Sequence, residues 1–536
     1  MRSVRSITIC SFLAAAILLP AMAPEASAAI RRVPQKFATI QDAVDAADPG
    51  DTIEVTKGGG AGPDGVYQEN VVIDKDVTLK CLKGTVIDVS NTHSLFGGND
   101  YSAGVTILGP GGDGATVKGC VVKFAMDCSF GDGCFNNSDQ GDGIDIKADS
   151  VTVKDCTIIQ NEGYGISVFG TEARIKDNVL TGNQEQAVYI FGMGGVVSGN
   201  SIKSISTDGI FMTGEQSTAR NNNVLGGSDG IHVTGQDSEI TGNTTRANSG
   251  HGVYLSGSDG LVKGNTARNT GNYGIFAGGN DLTVEENTSF HSSTTGVWVS
   301  GAGVKLLGNR ATAASQYGVY GSGTDFTAVG NKAFDCGASG VFVTATGVTA
   351  RNNRAERNRE GGIYISCTPS GCGPVKGNVS LNNRNYGIFV STYDVTVEEN
   401  ISKGNAGDGF LFDGGSVDLL NNVSSGNGGD GFNISGSGLT LKGTVAKKNG
   451  ADGIDIDTPG TLNVIRGSKV RNNAGTGIEN EAQGTDIINN TALGNHTDIA
   501  GAGDGIPTGT VAQFSGNTWK TGDDTTSTPN TGIGDN

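Results

Sequence analysis

Apolar and polar positions alternate in short runs along most of the chain, and the runs return at a nearly constant interval. Residues 250–271, GHGVYLSGSDGLVKGNTARNTG, are followed by NYGIFAGGNDLTVEENTSFHSS, in which the glycine, apolar and asparagine positions almost superimpose. The motif glycine–apolar–variable–apolar recurs from residue 143 to residue 480, in most cases every 22 residues. An internal repeat of this length predicts a solenoid in which each repeat forms one coil.

The pattern within each repeat is that of β-strands. Apolar residues alternate with other residues over three or four positions and many are β-branched, as in GVYL and GVWVS. Glycine and asparagine interrupt every few residues, which excludes helical repeats. We therefore expect short strands joined by turns, with each coil stacked in parallel on the next at ~4.8 Å.

One asparagine per repeat falls in a single column of the predicted coils. A side-chain amide stacked on its copies satisfies the turn backbone and extends a hydrogen-bond ladder, so a structural role is predicted for this column. It consists of Asn178, Asn200, Asn222, Asn243, Asn265, Asn287, Asn309, Asn331, Asn353, Asn378, Asn400, Asn422 and Asn490.

The repeat resembles that of the right-handed parallel β-helix proteins of the pectate-lyase-like superfamily. The entry segment FATIQDAVDAADPGDTIEV, followed by YQENVVIDKDVTLK, is similar to the N-terminal part of that superfamily. The resemblance covers residues 34 to about 500. It implies an all-β fold, a single-stranded right-handed parallel β-helix solenoid of about 22 residues per coil, with a short N-terminal capping helix. Ile40, Ala43, Val44 and Ala47 lie on one helical face, as such a cap requires.

The ends of the chain predict an exported protein in four parts. Residues 1–28 combine a basic start, an apolar stretch and the small residues Ala26-Ser27-Ala28, which is typical of a signal peptide. The alternative is an N-terminal membrane anchor, although no second apolar span follows. Residues 29–60 are predicted to form the N-terminal cap with the first strand, 61–500 the β-helix, and 501–536 a C-terminal capping strand and a disordered tail. We expect a secreted monomer, extracellular or periplasmic, without a transmembrane anchor after cleavage.

The cysteines are interpreted as disulfides, because export places them in an oxidising compartment and no cysteine–histidine grouping indicates zinc. Cys128 with Cys134 and Cys367 with Cys372 enclose short loops. Cys120 and Cys156 fall in the asparagine column one coil apart, where a bridge is geometrically reasonable. Cys81 lies one coil earlier, and Cys336 has no evident partner.

Net charge restricts the partners. The formal net charge is −18, and glycine accounts for 88 of 536 residues without a collagen period. This charge argues against nucleic acid, and against a polyanionic glycan unless cations bridge the two.

The variable position of the motif carries a run of rings that points outward in the predicted strands. An exposed aromatic stripe suits stacking on sugar rings and marks an interaction surface. The alternative is that the rings stack on each other and stabilise the coils. The predicted substrate-binding rings are Tyr189, Phe211, Phe276, Trp298, Tyr320, Phe342, Tyr364 and Phe389, with His232 and Tyr254 in the same column.

The position before the glycine adds acid and imidazole groups in the middle of this stripe. Asp208, Asp229 and His251 stand on successive coils, next to His232 and Tyr254, and these five residues are the candidate catalytic group. The motifs STDGIF, GSDGIH and SGHGVY resemble the Asp, Asp-Asp and Gly-His-Gly motifs of polygalacturonase-type hydrolases. A single aspartate replaces the family's pair, and no Arg-x-Lys follows. The alternative is that these aspartates are turn residues.

No cofactor is predicted with certainty, and calcium is the one candidate. Asp452, Asp455 and Asp457, with Asp430 one coil earlier, offer oxygen ligands. Solvated acidic turns are the competing interpretation, since hard cations need six or more converging oxygens.

Two functions remain open on the sequence. The first is a protein that binds a polysaccharide or cell-surface glycan along the stripe. This protein either only binds the glycan or also cleaves it, as a glycosidase or a lyase does. The second is a non-catalytic surface or periplasmic scaffold of the adhesin type, favoured by the even coils and the lack of long loops.

Overall fold

Each repeat folds into one coil of three short strands, and equivalent strands of successive coils form three long parallel sheets. The computed structural model describes residues 28–57, 66–90, 94–96, 99–125, 141–203, 205–367, 371–457, 463–482, 484–500 and 513–519. The predicted signal peptide therefore lies outside the described residues except for Ala28, as do Cys128, Cys134 and most of residues 501–536.

The strands of the first sheet, in chain order, are Ile30–Val33, Thr52–Val55, Thr78–Cys81, Thr116–Lys118, Thr152–Lys154, Arg174–Lys176, Val196–Ser198, Thr218–Arg220, Glu239–Thr241, Leu261–Lys263, Thr283–Glu285, Lys305–Leu307, Thr327–Val329, Thr349–Arg351, Val375–Lys376, Val395–Glu398, Val417–Leu420, Thr440–Lys442, Val464–Arg466, Asp486–Ile488 and Gln513–Ser515.

The strands of the second sheet are Val66–Tyr67, Val86–Asp88, Val121–Lys123, Thr157–Ile159, Val179–Thr181, Ser201–Lys203, Asn223–Leu225, Thr244–Arg246, Thr266–Thr270, Thr288–Ser292, Arg310–Thr312, Lys332–Phe334, Arg354–Glu356, Val379–Leu381, Ile401–Lys403, Val423–Ser425, Val445–Lys447, Lys469–Arg471, Thr491–Leu493 and Thr518–Trp519.

The strands of the third sheet are Val71–Ile73, Val105–Leu108, Ile144–Lys147, Ile166–Val168, Val188–Phe191, Ile210–Thr213, Ile231–Thr234, Val253–Ser256, Ile275–Gly278, Val297–Ala302, Val319–Thr324, Val341–Thr346, Ile363–Cys367, Ile388–Thr392, Phe410–Asp413, Phe432–Ser435, Ile454–Ile456, Thr476–Asn480 and Thr497–Ala500. Ser94–Phe96 and Asn99–Tyr101 form a separate antiparallel pair.

The register is the one that the repeat predicts. Val253 pairs with Ile275 and Tyr254 with Phe276, so residues one period apart are vertical neighbours. The alternate residues of each strand, such as Val253 and Leu255, point inward and are fully buried. The motif glycine is required by close approach, because a Cβ on Gly252 would lie 2.6 Å from the carbonyl oxygen of Gly274 in the next coil. The predicted all-β solenoid of about 22 residues per coil is confirmed.

Helix α1, Ile40–Asp45, lies over the first coils and begins at the N-cap residue Thr39, whose hydroxyl accepts from the Asp42 N–H. The helical face predicted from the sequence is buried, with Ile40 and Val44 fully inaccessible. The carboxylate of Glu69 accepts from the N–H groups of Ile40 and Gln41, which ties the helix start to the solenoid.

The asparagine column forms the predicted ladder between the first and second sheets. In each step the side chain donates to the next asparagine and to a backbone carbonyl, as Asn265 does to Asn287 Oδ1 at 3.0 Å and to the Ile240 oxygen at 2.7 Å. A second asparagine ladder, which the sequence analysis missed, lies between the second and third sheets. Its members include Asn161, Asn183, Asn358, Asn383, Asn405, Asn427, Asn449, Asn473 and Asn495.

The predicted Cys120–Cys156 bridge is wrong. Cys120 is bonded to Cys81 in the coil before it, with 4.8 Å between Cα atoms. Cys156 is a buried free thiol, as is Cys336. Cys156 is the register partner of Cys120, whereas Cys81 lies opposite Gly119, so the bridge that forms joins two cysteines one position out of register. The Cys367–Cys372 bridge is confirmed.

Candidate functional site

The predicted ring column is a continuous stack on the outer face of the third sheet, here called the aromatic ladder. Strand pairing places each of its members opposite the next, from Tyr189 to Phe389. The rings of Tyr254 and Phe276 lie 4.5 Å apart with planes 2° from parallel, and those of Phe276 and Trp298 lie 4.7 Å apart at 4°. Such separations are those of attractive offset stacking.

The ladder is half-buried rather than exposed, which corrects the expectation from the sequence. The physical reason is the stacking itself, because the two broad faces of an interior ring such as Phe276 contact the rings above and below. Solvent therefore meets mainly ring edges. The alternative interpretation, that the rings stabilise the coils, describes this geometry better than a flat platform for sugars does.

Two rings beside the ladder are more exposed, and the sequence analysis did not single them out. Phe169 and Phe191 follow the third-sheet strands at the N-terminal end of the ladder and are 49% and 58% exposed. The ring centroids of Phe169 and Tyr189 lie 5.8 Å apart, and the two ring planes meet at an angle of 51°. With Met193, which is 49% exposed, they form an apolar surface next to the ladder.

The structure brings the candidate catalytic residues together. Asp208, Asp229, His232 and His251, here called the acid–histidine cluster, lie at the N-terminal ends of three successive third-sheet strands. His232 Nδ1 lies 3.1 Å from Asp229 Oδ2 and 3.9 Å from Asp208 Oδ2. The fifth candidate, Tyr254, contributes its ring, with its centroid 4.2 Å from that of His232.

In each aspartate of the cluster, one carboxylate oxygen accepts a backbone hydrogen bond from the next coil and the other faces the imidazole of His232. Asp208 Oδ1 accepts from the Asp229 N–H at 2.8 Å, and Asp229 Oδ1 accepts from the His251 N–H at 2.6 Å. Asp408 and Asp430 make the same bond to the next coil farther along the chain, so this half of the arrangement is a general turn device. What distinguishes the cluster is that the second oxygens face an imidazole.

The two carboxyl groups have pKa values displaced in opposite directions. Burial raises the pKa of Asp208 above its ordinary value, against the opposing effect of the Asp229 N–H. Burial also acts on Asp229, but the hydrogen bonds from His232 and from the His251 N–H outweigh it, so the pKa of Asp229 lies below its ordinary value. One carboxyl therefore retains its proton to higher pH while its neighbour is ionised.

The surroundings of His251 favour its uncharged form. Burial lowers its pKa, against the attraction of the Asp229 charge. Its Nε2 lies 3.5 Å from the side-chain nitrogen of Asn272, whose oxygen accepts from the Thr294 hydroxyl at 2.9 Å. Among the described residues its Nδ1 has no hydrogen-bond partner. Asn272 and Thr294 were not found from the sequence, since neither belongs to a recognised motif.

A second acidic group lies near the C-terminal end of the same face. Asp430, Asp452 and Asp455 have carboxylate oxygens within 4.8 Å of one another, as do the ligand atoms of Asp208, Asp229 and His232. Three carboxylates carry six oxygens, of which Asp430 Oδ1 and Asp452 Oδ1 already accept backbone N–H groups. Three carboxylates alone do not supply the six to eight ligands of a calcium shell, and we derive no chemistry through calcium.

The comparisons with known proteins agree on the type of fold. The model of the family described as right handed beta helix region matches residues 69–224, 208–379, 331–438 and 370–495. No curated protein matches the chain. Among the described helices, none is long and apolar enough to cross a bilayer.

Several solved structures share part of the architecture. The A-module of mannuronan C-5 epimerase AlgE6 from Azotobacter vinelandii is 17% identical and covers 67% of this chain and 93% of its own, with a TM-score of 0.38. Polygalacturonase from Erwinia carotovora ssp. carotovora is 11% identical and covers 69% of this chain and 93% of its own, with a TM-score of 0.33. Scores this low carry no argument about activity.

Proposed function

This chain belongs to the right-handed β-helix family, and from that premise we propose that it is an exported protein that binds a polysaccharide on the outer face of its third sheet and hydrolyses it at the acid–histidine cluster. Asp208 serves as the general acid that protonates the leaving oxygen. Asp229, held ionised by His232, serves as the base or nucleophile. His251 and Asn272 position the Asp229 end of the cluster.

One observation supports this assignment above the others. Glycosidases work with two carboxyl groups on either side of the scissile bond, one protonated and one ionised at the same pH. The surroundings of Asp208 and Asp229 support this assignment, because burial raises the pKa of Asp208 and hydrogen bonds lower that of Asp229 while their second oxygens share one imidazole.

The neighbouring apolar surface supports a sugar as the ligand. Phe169 and Phe191 keep much of their ring surface free, unlike the interior rings of the aromatic ladder. They lie along the same sheet as His232, two and three coils away. Exposed rings of this kind bind the apolar faces of sugars.

The test compares two equivalent aspartates. Asp208→Asn should lower the release of reducing ends from a responsive polysaccharide by about a hundredfold or more, because it removes the general acid. Asp408→Asn is the matched control, since Asp408 occupies the same repeat position and makes the same bond to the next coil but faces no histidine. A panel of neutral and acidic polysaccharides, assayed for reducing ends and for unsaturated products, identifies the responsive substrate. Equal activity of both variants would show that the acid–histidine cluster does not catalyse the reaction.

The second candidate function is a non-catalytic surface or periplasmic scaffold. The observation that favours it is the aromatic ladder, whose ring faces are occupied by one another as a stabilising stack. In that case no polysaccharide of the panel is turned over, and the Asp208→Asn and His251→Ala variants behave as the unchanged protein in every assay.

A further inference from the structure

The outer face of the second sheet has a charge opposite to that of the whole molecule. Between its strands Thr157–Ile159 and Thr491–Leu493, Glu356 is the single acidic residue. The formal net charge of the chain is −18, so its acidic residues are concentrated elsewhere. The lysines and arginines of these strands, here called the basic face, are Lys203, Arg246, Arg268, Arg310, Lys332, Arg354, Lys403, Lys447, Lys469 and Arg471.

The centre of the basic face carries charges that the protein itself does not neutralise. Arg246, Arg268, Arg310 and Lys332 are exposed, and within the described ranges no carboxylate lies at ion-pair distance from any of them. By contrast, Arg354 at the C-terminal side is paired with Glu356 at 2.7 Å. Two pairs of unpaired cations, Arg246 with Arg268 and Arg310 with Lys332, on either side of the strand Thr288–Ser292, make a local positive potential.

Two of these arginines are held in place by aromatic rings. The Arg268 guanidinium lies 4.5 Å from the centre of the Phe290 ring, and that of Arg310 lies 4.3 Å from the Phe334 ring. Stacking on a ring holds the planar guanidinium flat and leaves its N–H edge free for a two-point bond to a carboxylate or sulfate. An open depression of about 320 Å³ beside them is lined by Arg246, Arg268, Asn269, Phe290 and His291.

We infer that the basic face is a second binding surface, which holds an anionic polysaccharide along the solenoid, separately from the third-sheet site. This proposal rests on the proposed function only in that the partner is a polysaccharide. It adds that this polysaccharide is anionic. Within each pair, Arg246 with Arg268 and Arg310 with Lys332, the cations are register partners on adjacent coils ~4.8 Å apart, so the two pairs together can contact several anionic groups of one polymer. Thr244, Thr266 and Thr288 lie beside them on the same face and offer hydroxyl groups.

The net charge does not oppose this local attraction. Exposed charges farther apart than about 8–10 Å are largely screened at ordinary ionic strength, so a bound anion responds to the nearby cations rather than to the distant acidic groups. The net charge alone disfavours a polyanionic glycan unless cations bridge the two. The distribution over the three faces is what revises that expectation.

The geometry favours a glycan over nucleic acid or a membrane. Single-stranded nucleic acids bind by stacking bases on free aromatic faces, whereas guanidinium groups lie over Phe290 and Phe334. Binding to a bilayer surface requires apolar side chains that insert, and the two rings are half-buried.

The basic face and the third-sheet site meet at one corner of the coil. A second depression of about 540 Å³ shares Asn269 and His291 with the first and extends to Gly271. Gly271 precedes Asn272, which contacts His251 of the acid–histidine cluster. A glycan held on the basic face thus runs close to the cluster without occupying it.

The test measures equilibrium binding to carboxymethyl-dextran, with uncharged dextran as the matched ligand. The triple variant Arg268→Gln/Arg310→Gln/Lys332→Gln should weaken binding by at least about tenfold, because each lost contact is a charge-assisted bond. The triple variant Arg220→Gln/Lys305→Gln/Arg351→Gln is the control. It changes the net charge equally, at exposed strand positions of the first sheet, and should change affinity by less than about threefold.

Three results would overturn the inference. They are equal binding of carboxymethyl-dextran and dextran by the unchanged protein, equal weakening of binding in both triple variants, and displacement of the glycan by single-stranded DNA at equal charge concentration. Far-UV circular dichroism and thermal denaturation confirm that the variants are folded. Asp208→Asn should bind as the unchanged protein does, so loss of turnover and loss of binding are separate outcomes.

Discussion

At the residue scale, the aspartate before the motif glycine has two independent roles. Its Oδ1 accepts the N–H of the next coil at Asp208 and at Asp408 alike, and this bond explains why the residue recurs. Its Oδ2 depends on what the neighbouring column supplies, which is His232 beside Asp229 and Asn433 beside Asp430. An aspartate at this repeat position is therefore structural in the coils that carry it, and a candidate for chemistry only where an imidazole faces it.

Replacing His232 with phenylalanine tests the hydrogen bond of the imidazole separately from the stacking of an aromatic ring at this position. Phenylalanine keeps a ring in the aromatic ladder between Phe211 and Tyr254, but it donates no hydrogen bond to Asp229. The pKa of Asp229 should then rise, because the hydrogen bond that lowers it is gone. In the pH–rate profile, the acidic limb should move to higher pH.

The control for this change is Asn433→Ala, which removes the equivalent contact to Asp430 outside the cluster and should leave the profile unchanged. An acidic limb that stays in place in His232→Phe, with turnover intact, would show that another group sets it.

At the element scale, the register was predictable because the repeat interval fixes which residues are vertical neighbours. The same regularity left two features undetermined. Cys156 is the register partner of Cys120, yet Cys120 bonds to Cys81, which lies opposite Gly119, so the register alone does not identify the bridge. The outward direction of Phe276 and Trp298 follows from alternation, but alternation does not say that their faces would cover each other.

The stacking of the aromatic ladder makes a prediction about stability. Trp298 lies 4.7 Å from Phe276 and 5.7 Å from Tyr320, nearly parallel to both. Trp298→Ala should lower the free energy of unfolding by about 1–3 kcal/mol, since two pairs of about 0.5–1.5 kcal/mol are lost. Trp298→Phe keeps a ring in the stack and is the matched variant. Urea unfolding followed by circular dichroism compares them, and equal midpoints for both variants would contradict a stabilising ladder.

At the scale of the whole molecule, charge is segregated by face, and composition does not reveal this. The formal net charge of −18 combines the cations of the second sheet with the acidic columns of the third sheet and so hides the difference between them. The sequence contained the signal, because the strand pattern assigns Arg246, Arg268 and Arg310 to one sheet. It was overlooked because these residues occupy different positions within the strands and no motif joins them.

The acidic end of the third sheet should make the stability of the C-terminal coils depend on pH. Burial and the neighbouring Asp457, Asp430 and Asp452 raise the pKa of Asp455 to about 8. In the unfolded chain an aspartate has a pKa of about 3.9. Because the folded value is the higher one, Asp455 contributes stability that is complete below about pH 4 and is lost as the pH rises through about 8.

The strands packed on either side add no compensating cation, since Asp455 lies between Asn433 and Glu479 in the register. Asp455→Asn cannot ionise, so it should unfold at higher urea than the unchanged protein at pH 8.5 and at nearly the same urea below about pH 4. Asp418→Asn removes a carboxylate from an exposed first-sheet position nearby and is the control, with little effect at either pH. Measurements in chelator exclude a contribution from calcium. A stabilisation of the same size at both pH values would mean that the side chain acts through packing, and that the facing carboxylates do not repel one another in the folded coils.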